Sequence, residues 1–190
     1  MRIGIIDGHP DRDPSRFCHA LADAYADGAG EAGHQVRLLR LADLEFPMLL
    51  DRVSWEAPHV SHDLAEVQTL VAWSEHLMIV HPLWLGAAPA RLKALLEQVF
   101  RPGFAFGAGQ AMSARLTGRS ARIIVTMGMP APVYRLWFGA HGLKALKRGI
   151  LAFVGFRPIR DTMIGGVESL NAARRQAWLS TVRTLGFRGR

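Results

Sequence analysis

The sequence predicts a doubly wound α/β domain: a five-stranded parallel sheet in the order 2-1-3-4-5, with helices on both faces. Three observations predict it. Five short apolar runs alternate with five segments of helical periodicity, the pattern of parallel strands joined by right-handed crossovers. Three of the runs are continuously apolar, as strands buried on both faces must be. The 190 residues, 49% hydrophobic and 21% charged, hold no repeat, no low-complexity tract and no long linker, so one domain over residues 1–190 is expected.

The elements follow in order. Arg2 to Ile6 is the first buried strand. Phe17, Ala20, Leu21, Ala24 and Tyr25 fall at i, i+3, i+4, i+7 and i+8, one apolar stripe on a helix from Ser15 to Ala32. Gln35 to Leu41 alternates, as suits a strand near a sheet edge. Ser61 is the N-cap residue of a second helix with Leu64, Val67 and Val71 inward. Leu77 to Val80 is the third strand. The next helix opens at Pro89, turns Leu92, Leu95, Leu96 and Val99 inward and stops at Arg101-Pro102-Gly103. Arg122 to Thr126 is the fourth strand, Gly139 to Phe153 a helix, Pro158 to Ile164 the second edge-like strand, and Glu168 to Leu185 the last helix. In such a sheet a ligand binds at the carboxyl ends of the strands near the switch point between strands 1 and 3. The loops that matter are therefore 7 to 15, 81 to 88 and 127 to 141.

Composition narrows the function classes. Lys+Arg number 23 against 16 Asp+Glu, a formal charge of +7, and only Lys93, Lys144 and Lys147 are lysines. Nucleic acid, a phosphorylated cofactor and solubility are all open readings of that charge, with arginine favouring phosphate through its planar fork. No basic tail, concentrated basic face or nucleic-acid motif is present, so nucleic acid is not the expected partner. The single cysteine, Cys18, excludes an internal disulfide and a multi-thiolate metal site. No apolar stretch nears the roughly 18 residues of a membrane span, and the first residues carry no signal-peptide pattern. A cytoplasmic location is expected.

Gly28-Ala29-Gly30-Glu31-Ala32-Gly33 spells the string of a dinucleotide-binding loop, but it closes a helix instead of opening one. It is read as a helix stop. The first βα loop, Asp7 to Phe17, brings His9, Ser15 and Arg16 to a helix N-terminus at the end of strand 1, a place suited to an anion. An ordinary loop capped by Asp13 or Ser15 has equal weight. After strand 3, His81-Pro82-Leu83-Trp84-Leu85-Gly86 sets a tryptophan beside small residues, which suits a planar cofactor or plain core packing. The loop after strand 4 carries Tyr134 and His141, which can donate hydrogen bonds or protons. His59 and His62 have chelating spacing but no third ligand nearby, so no metal site is expected. A phospho-acceptor receiver would need an acidic cluster after strand 1, an Asp ending strand 3 and a Lys after strand 5, where this chain has Asp7 alone, His81 and no Lys.

On these residues the chain resembles the flavodoxin-fold NAD(P)H quinone oxidoreductases, the DT-diaphorase-like group that includes the potassium-efflux ancillary reductases. The resemblance covers nearly all 190 residues and rests on four marks in order. They are Gly8-His9-Pro10 running into Ser15 and Phe17; Pro82-Leu83-Trp84 to Pro89 with Leu92-Lys93; Val99-Phe100 with Pro102-Gly103-Phe104-Ala105; and Tyr134 with Gly139-Ala140-His141-Gly142. It implies a flavodoxin-like fold and a homodimer with the flavin ring at the subunit interface. It further implies a flavin phosphate region held by His9, Ser15, Arg16 and Phe17, and a ring lined by Pro82, Leu83, Trp84, Leu85 and Gly86. Thr126, Met127, Gly128 and Met129 would lie at its other edge, with Tyr134 and His141 as the catalytic pair. NAD(P)H would pass hydride to flavin N5, and a quinone or similar acceptor would then take two electrons in the same pocket. The group uses FAD or FMN, and Trp55-Glu56-Ala57-Pro58, placed to border an adenine, favours FAD. An ancillary flavin-binding subunit of a membrane transporter is the other reading. The chain departs from the group's common pattern in a longer first loop, Cys18 in place of Asn, and Met129 in place of Gly. Tyr134 and His141 also stand seven apart, where the animal enzymes have six.

Overall fold

The computed structural model describes residues 1–57, 60–107 and 113–190. Five parallel strands, β1 (Arg2–Asp7), β2 (Gln35–Arg40), β3 (His76–Pro82), β4 (Ser120–Thr126) and β5 (Ile159–Ile164), form one sheet in the order β2-β1-β3-β4-β5. The three continuously apolar runs are the three central strands, and β3 is buried throughout. The alternating runs are the two edges, where one face meets solvent.

The crossovers supply α1 (Phe17–Glu31), α2 (Arg52–Glu56), α3 (His62–Trp73), α4 (Ala90–Val99), α5 (Ala131–Leu136), α6 (His141–Lys144) and α7 (Ala152–Val154), and α8 (Ala172–Phe187) follows the last strand. Helix α6 runs into α7 through a π-helical stretch, Ala145–Leu151, whose residues keep right-handed helical backbone at both joins. One face of the sheet packs on α3, α4 and the 143–156 region through Leu64, Val71, Leu92, Leu96, Leu143 and Phe156. The other packs on α1 and α8 through Leu21, Tyr25 and Val182.

Helices α1 and α8 touch backbone to backbone. A Cβ on Gly28 would lie 1.9 Å from the Arg183 carbonyl oxygen, and one on Gly186 would lie 2.1 Å from that of Tyr25. Gly33, at φ +74, follows the end of α1. The G-x-G-x-x-G string is thus a packing surface and a helix stop, as its place after a helix predicts.

Two helix starts and two short helices stand apart from expectation. The last helix starts at Ala172, because the Asn171 side chain caps it by accepting from the Arg174 N–H at 2.9 Å, and Val167–Ser169 is a separate 3₁₀ turn. Helix α1 starts at Phe17, the first residue of its apolar stripe and two residues later than the expected Ser15. Short helices α2 and α5, of five and six residues, lie in stretches too brief for a periodic signal.

Candidate active site

Backbone hydrogen bonds stitch the loops together beyond the strands. The Gly8 N–H donates to the Val80 carbonyl at 2.7 Å, the Leu83 N–H to that of Thr126 at 2.7 Å, and the Met127 N–H to that of Ile164 at 2.9 Å. The Val167 and Gly166 N–H groups donate to the Met127 and Met129 carbonyls, both at 3.1 Å. The loops after β1, β3, β4 and β5 therefore form one rim at the carboxyl ends of the strands, around a cleft of about 290 Å³.

One end of the cleft is built from the first loop. Asp7, wholly buried, is its anchor: it accepts from the His9 N–H at 3.2 Å and from Arg40 Nη1 at 2.8 Å, and bonds the His19 ring. His19 Nε2 bonds the Asp11 carbonyl at 2.9 Å, so the loop is held from beneath at both ends. His9 Nδ1 accepts from the Asp11 N–H at 3.1 Å, which leaves the ring proton on Nε2. Burial, with the neighbouring His19, lowers the His9 pKa and keeps it a neutral donor on the cleft wall. Neither Asp13 nor Ser15 caps α1: its N-cap residue is Arg16, with no side-chain capping bond, and the His19 N–H donates back to the Arg16 carbonyl at 3.0 Å, which leaves the Phe17 and Cys18 N–H groups for a ligand.

Arg16 reaches the cleft, but Asp11 and Asp13 hold it at 2.7 and 3.3 Å. Both carboxyls are lowered in pKa, first by backbone N–H groups, of Asp13 onto Asp11 and of Ser15 onto Asp13. The charge of Arg16 is thus already shared. A second cation, Arg175 of α8, lines the same cleft, its guanidinium 5.1 Å from the Phe17 ring centre and bonded to the Val167 carbonyl at 2.8 Å.

The rest of the lining is more apolar: Phe17, Pro82, Leu83, Trp84, Met127 and Val167, together with Thr126, Gly128 and Glu168. Trp84 meets His9 edge-on, ring centres 6.0 Å apart. Cys18 also lines the wall, but burial pushes its thiol up to about 12 and its sulfur lies 3.3 Å from Thr126 Oγ1, the setting of a packing residue.

Ten of the residues singled out in the sequence, His9, Ser15, Arg16, Phe17, Pro82, Leu83, Trp84, Thr126, Met127 and Gly128, line this one cleft. Leu85 and Gly86 instead form the tip of a tight turn closed by mutual Trp84–Ala87 backbone bonds of 2.9 and 3.0 Å, both with positive φ. Met129 packs against the core. Tyr134 and His141 also stand outside the lining. Tyr134 is buried and its hydroxyl bonds Gly86 and Leu143, while His141 is exposed where α6 begins. Gly142 presses on the turn so closely that a Cβ there would lie 2.2 Å from the Gly86 oxygen. Trp55 packs against Phe106 over a separate apolar groove of about 360 Å³, away from the cleft, and Pro58 and His59 lie outside the described residues. Among the described residues no group of three or more His, Cys, Asp or Glu could hold a metal, and no helix is long and apolar enough to cross a membrane.

Sequence reasoning missed Val167, Glu168 and Arg175. The switch-point rule drew attention to the loops after β1, β3 and β4, and reading a helix from Glu168 concealed the loop after β5. Asn171, a strong cap residue, was the available signal that a loop ended there.

A family model described as the flavodoxin-like fold matches residues 1–185. The chain belongs to that family. A ribosyldihydronicotinamide dehydrogenase-like protein of Penicillium crustosum is 25% identical over 192 residues, covering 82% of this chain and 70% of the relative. Two solved structures share the fold of this family member. An NAD(P)H:quinone oxidoreductase from Methanothermobacter marburgensis superposes with a TM-score of 0.81 at 21% identity, over 98% of this chain and 96% of that one. An FMN-dependent NADH-azoreductase from Bacillus anthracis, in complex with FMN, does so with a TM-score of 0.79 at 18% identity, over 99% of each chain.

Proposed function

We propose that this single flavodoxin-like domain is a flavin-dependent NAD(P)H oxidoreductase that reduces a quinone or similar acceptor by two electrons. The cleft carries the proposal: it joins a helix N-terminus without a side-chain cap, with His9, Ser15, Arg16 and Arg175 as donors, to the apolar side chains of Phe17, Leu83 and Trp84. That donor set fits a phosphate at one end and a planar ring at the other. The names of the Penicillium relative and of the two solved structures point to the same chemistry.

A bound flavin, FAD or FMN, would supply hydride acceptance from NAD(P)H and onward transfer to the acceptor. The chain's own residues would position and screen it. Asp7 and His19 hold the phosphate loop in shape, and His9 Nε2–H, Ser15 and the first-turn N–H groups of α1 bind the phosphate. Trp84 excludes water from one side of the ring. Tyr134 fixes the 84–87 turn, and His141, exposed beside it, relays a proton through its imidazole. Since Trp55 packs in another groove, the residue that favoured FAD has no place in the cleft, and FMN needs nothing the described lining lacks.

We infer a homodimer from the rim. Leu85, Leu136 and Trp137 are 107%, 81% and 85% exposed beside half-exposed Trp84 and Phe138, an apolar surface next to the cleft that a second copy would cover.

The deciding experiment is an absorption spectrum of the purified protein with the released flavin identified, followed by NADH and NADPH oxidation with a simple quinone. A protein that binds neither flavin overturns the proposal. A yellow protein without turnover replaces it with an ancillary flavin-binding subunit. His141→Ala is expected to slow flavin reduction or reoxidation in stopped flow, and unchanged rates would remove His141 from the mechanism.

A further inference from the structure

At the opposite, amino-terminal ends of the strands, beneath α1 and α8, the protein buries a guanidinium without a carboxylate bonded to it. Arg122 of β4 is 6% exposed; its Nη1 donates to Thr162 Oγ1 at 2.7 Å, and its buried Nε has no partner. The strand register sets Arg160 of β5 directly across from it on the same face, a like-charged cross-strand pair that sheets ordinarily avoid. The register also pairs Met78 with Arg122 and His76 with Ser120, so His76 stands diagonally beside Arg122 on that face.

Two more buried polar atoms there lack partners. His76 Nδ1 shares a 2.7 Å bond with Ser120 Oγ, and its Nε2 is unmatched. Tyr25 of α1 stacks on the His76 ring, centres 6.3 Å apart and planes 11° from parallel, and its hydroxyl is unmatched as well. Burial first, then Arg122, Arg160 and His34, lowers His76 to about 4, so at neutral pH it is an uncharged imidazole. Arg190 adds further positive charge near Arg122.

The neighbouring carboxylates are committed elsewhere. Asp161 alternates to the other face of β5, where it pairs with Arg135 and Lys147. Glu75 accepts from the Arg2 N–H at 2.7 Å and pairs with the Arg2 guanidinium. Buried polar atoms are nearly always matched and buried charges nearly always paired, so these groups call for a further polar partner, and the two guanidiniums side by side make an anion the suited one.

We propose that Arg122, His76 and Tyr25 form the floor of a binding site for a small inorganic oxyanion, with exposed Arg160 at its mouth. An oxyanion suits the cluster because the guanidinium fork matches its oxygens and its several lone pairs can serve the phenol and the imidazole together. The site does not depend on the flavin reading, which concerns the other end of the sheet.

Thermal unfolding of the full-length protein, with FMN in excess, tests this against inorganic phosphate at constant ionic strength. The melting temperature is expected to rise saturably with phosphate. Arg160→Gln is expected to shift the half-saturating concentration up roughly three- to ten-fold. Arg122→Met is expected to abolish the response; if that variant does not fold, Tyr25→Phe joins Arg160→Gln as the deciding pair. A wild-type protein without saturable response overturns the proposal. So does a response that the variants leave unchanged, since the phosphate would then bind elsewhere, the flavin cleft included.

Discussion

The Tyr134 hydroxyl donates to the Gly86 carbonyl at 3.1 Å and accepts from the Leu143 N–H at 3.2 Å. Both partners are backbone, one in the 84–87 turn and one in α6, which meet beside the cleft. Among the described residues, the non-glycine positions with positive φ are Leu85 at 47°, in that turn, and Ala140 at 49°, the N-cap of α6. Such conformations cost of order 1–3 kcal/mol each and persist only where surrounding structure fixes them. Tyr134 is part of what fixes them.

Tyr134→Phe therefore removes one bond to the turn and one to α6 and leaves two backbone groups poorly matched. Stability is expected to fall by about 1–3 kcal/mol in urea unfolding. Flavin affinity, measured by fluorescence quenching, is expected to weaken in parallel, because the freed turn carries Trp84 at its base. Unchanged stability would show that the hydroxyl is not a latch.

Asp11 and Asp13 hold Arg16 where a phosphate would compete for it. Asp11→Asn releases half of that grip, and flavin binding is expected to tighten a few-fold, more at low salt than at high. Titrations at two ionic strengths check both the gain and its salt dependence. Weaker binding would mean that Asp11 serves the loop chiefly through the N–H it accepts from Asp13, at 3.0 Å.

Two glycines in one turn of α1 should respond oppositely to alanine. A Cβ at Gly30 meets nothing within 4 Å, so Gly30→Ala is expected to stabilise by about 0.5–1 kcal/mol through helix propensity. Gly28→Ala drives a methyl into the Arg183 carbonyl and is expected to destabilise by about 1–3 kcal/mol. Melting temperatures of the two variants decide the matter.

His81, next to last in β3, is wholly buried with its Nδ1 bonded to the Pro82 carbonyl, and burial lowers its pKa from 6.5 to about 4. The unfolded chain therefore takes up this proton first as the pH falls. The stability it confers is complete above pH 6.5 and is lost progressively towards pH 4, by at most about 3 kcal/mol. Urea unfolding at pH 7.5 and 5 is expected to show a smaller acid loss in His81→Gln than in the wild type. An equal loss would place the acid sensitivity in other groups.

The sheet could be read from the sequence because burial on both faces leaves a direct trace: Leu77 to Val80 has no polar residue to interrupt it. The first βα loop could be picked out as a candidate, since His9, Ser15 and Phe17 sit between a strand and a helix whose ends composition marks, but spacing alone left an ordinary loop equally open. The contribution of Arg175 was not, because it reaches the cleft from α8 by lying over Phe17, a relation with no signature along the chain. Nor was the pairing of Asp7 with Arg40, which are 33 residues apart and meet only because β1 and β2 are in register there.

The π-helical stretch at Ala145–Leu151 also bears on how α7 faces the core. One surplus residue within a helix turns everything after it by about 100° relative to an unbroken α-helix. Downstream of it, Phe153 lines the groove shared with Trp55 and Phe106, while Val154 and Phe156 enter the core. Deleting a single residue there would restore regular winding yet rotate Phe153 and Val154 off their present neighbours, so the irregular turn is itself what sets the facing of the segment behind it.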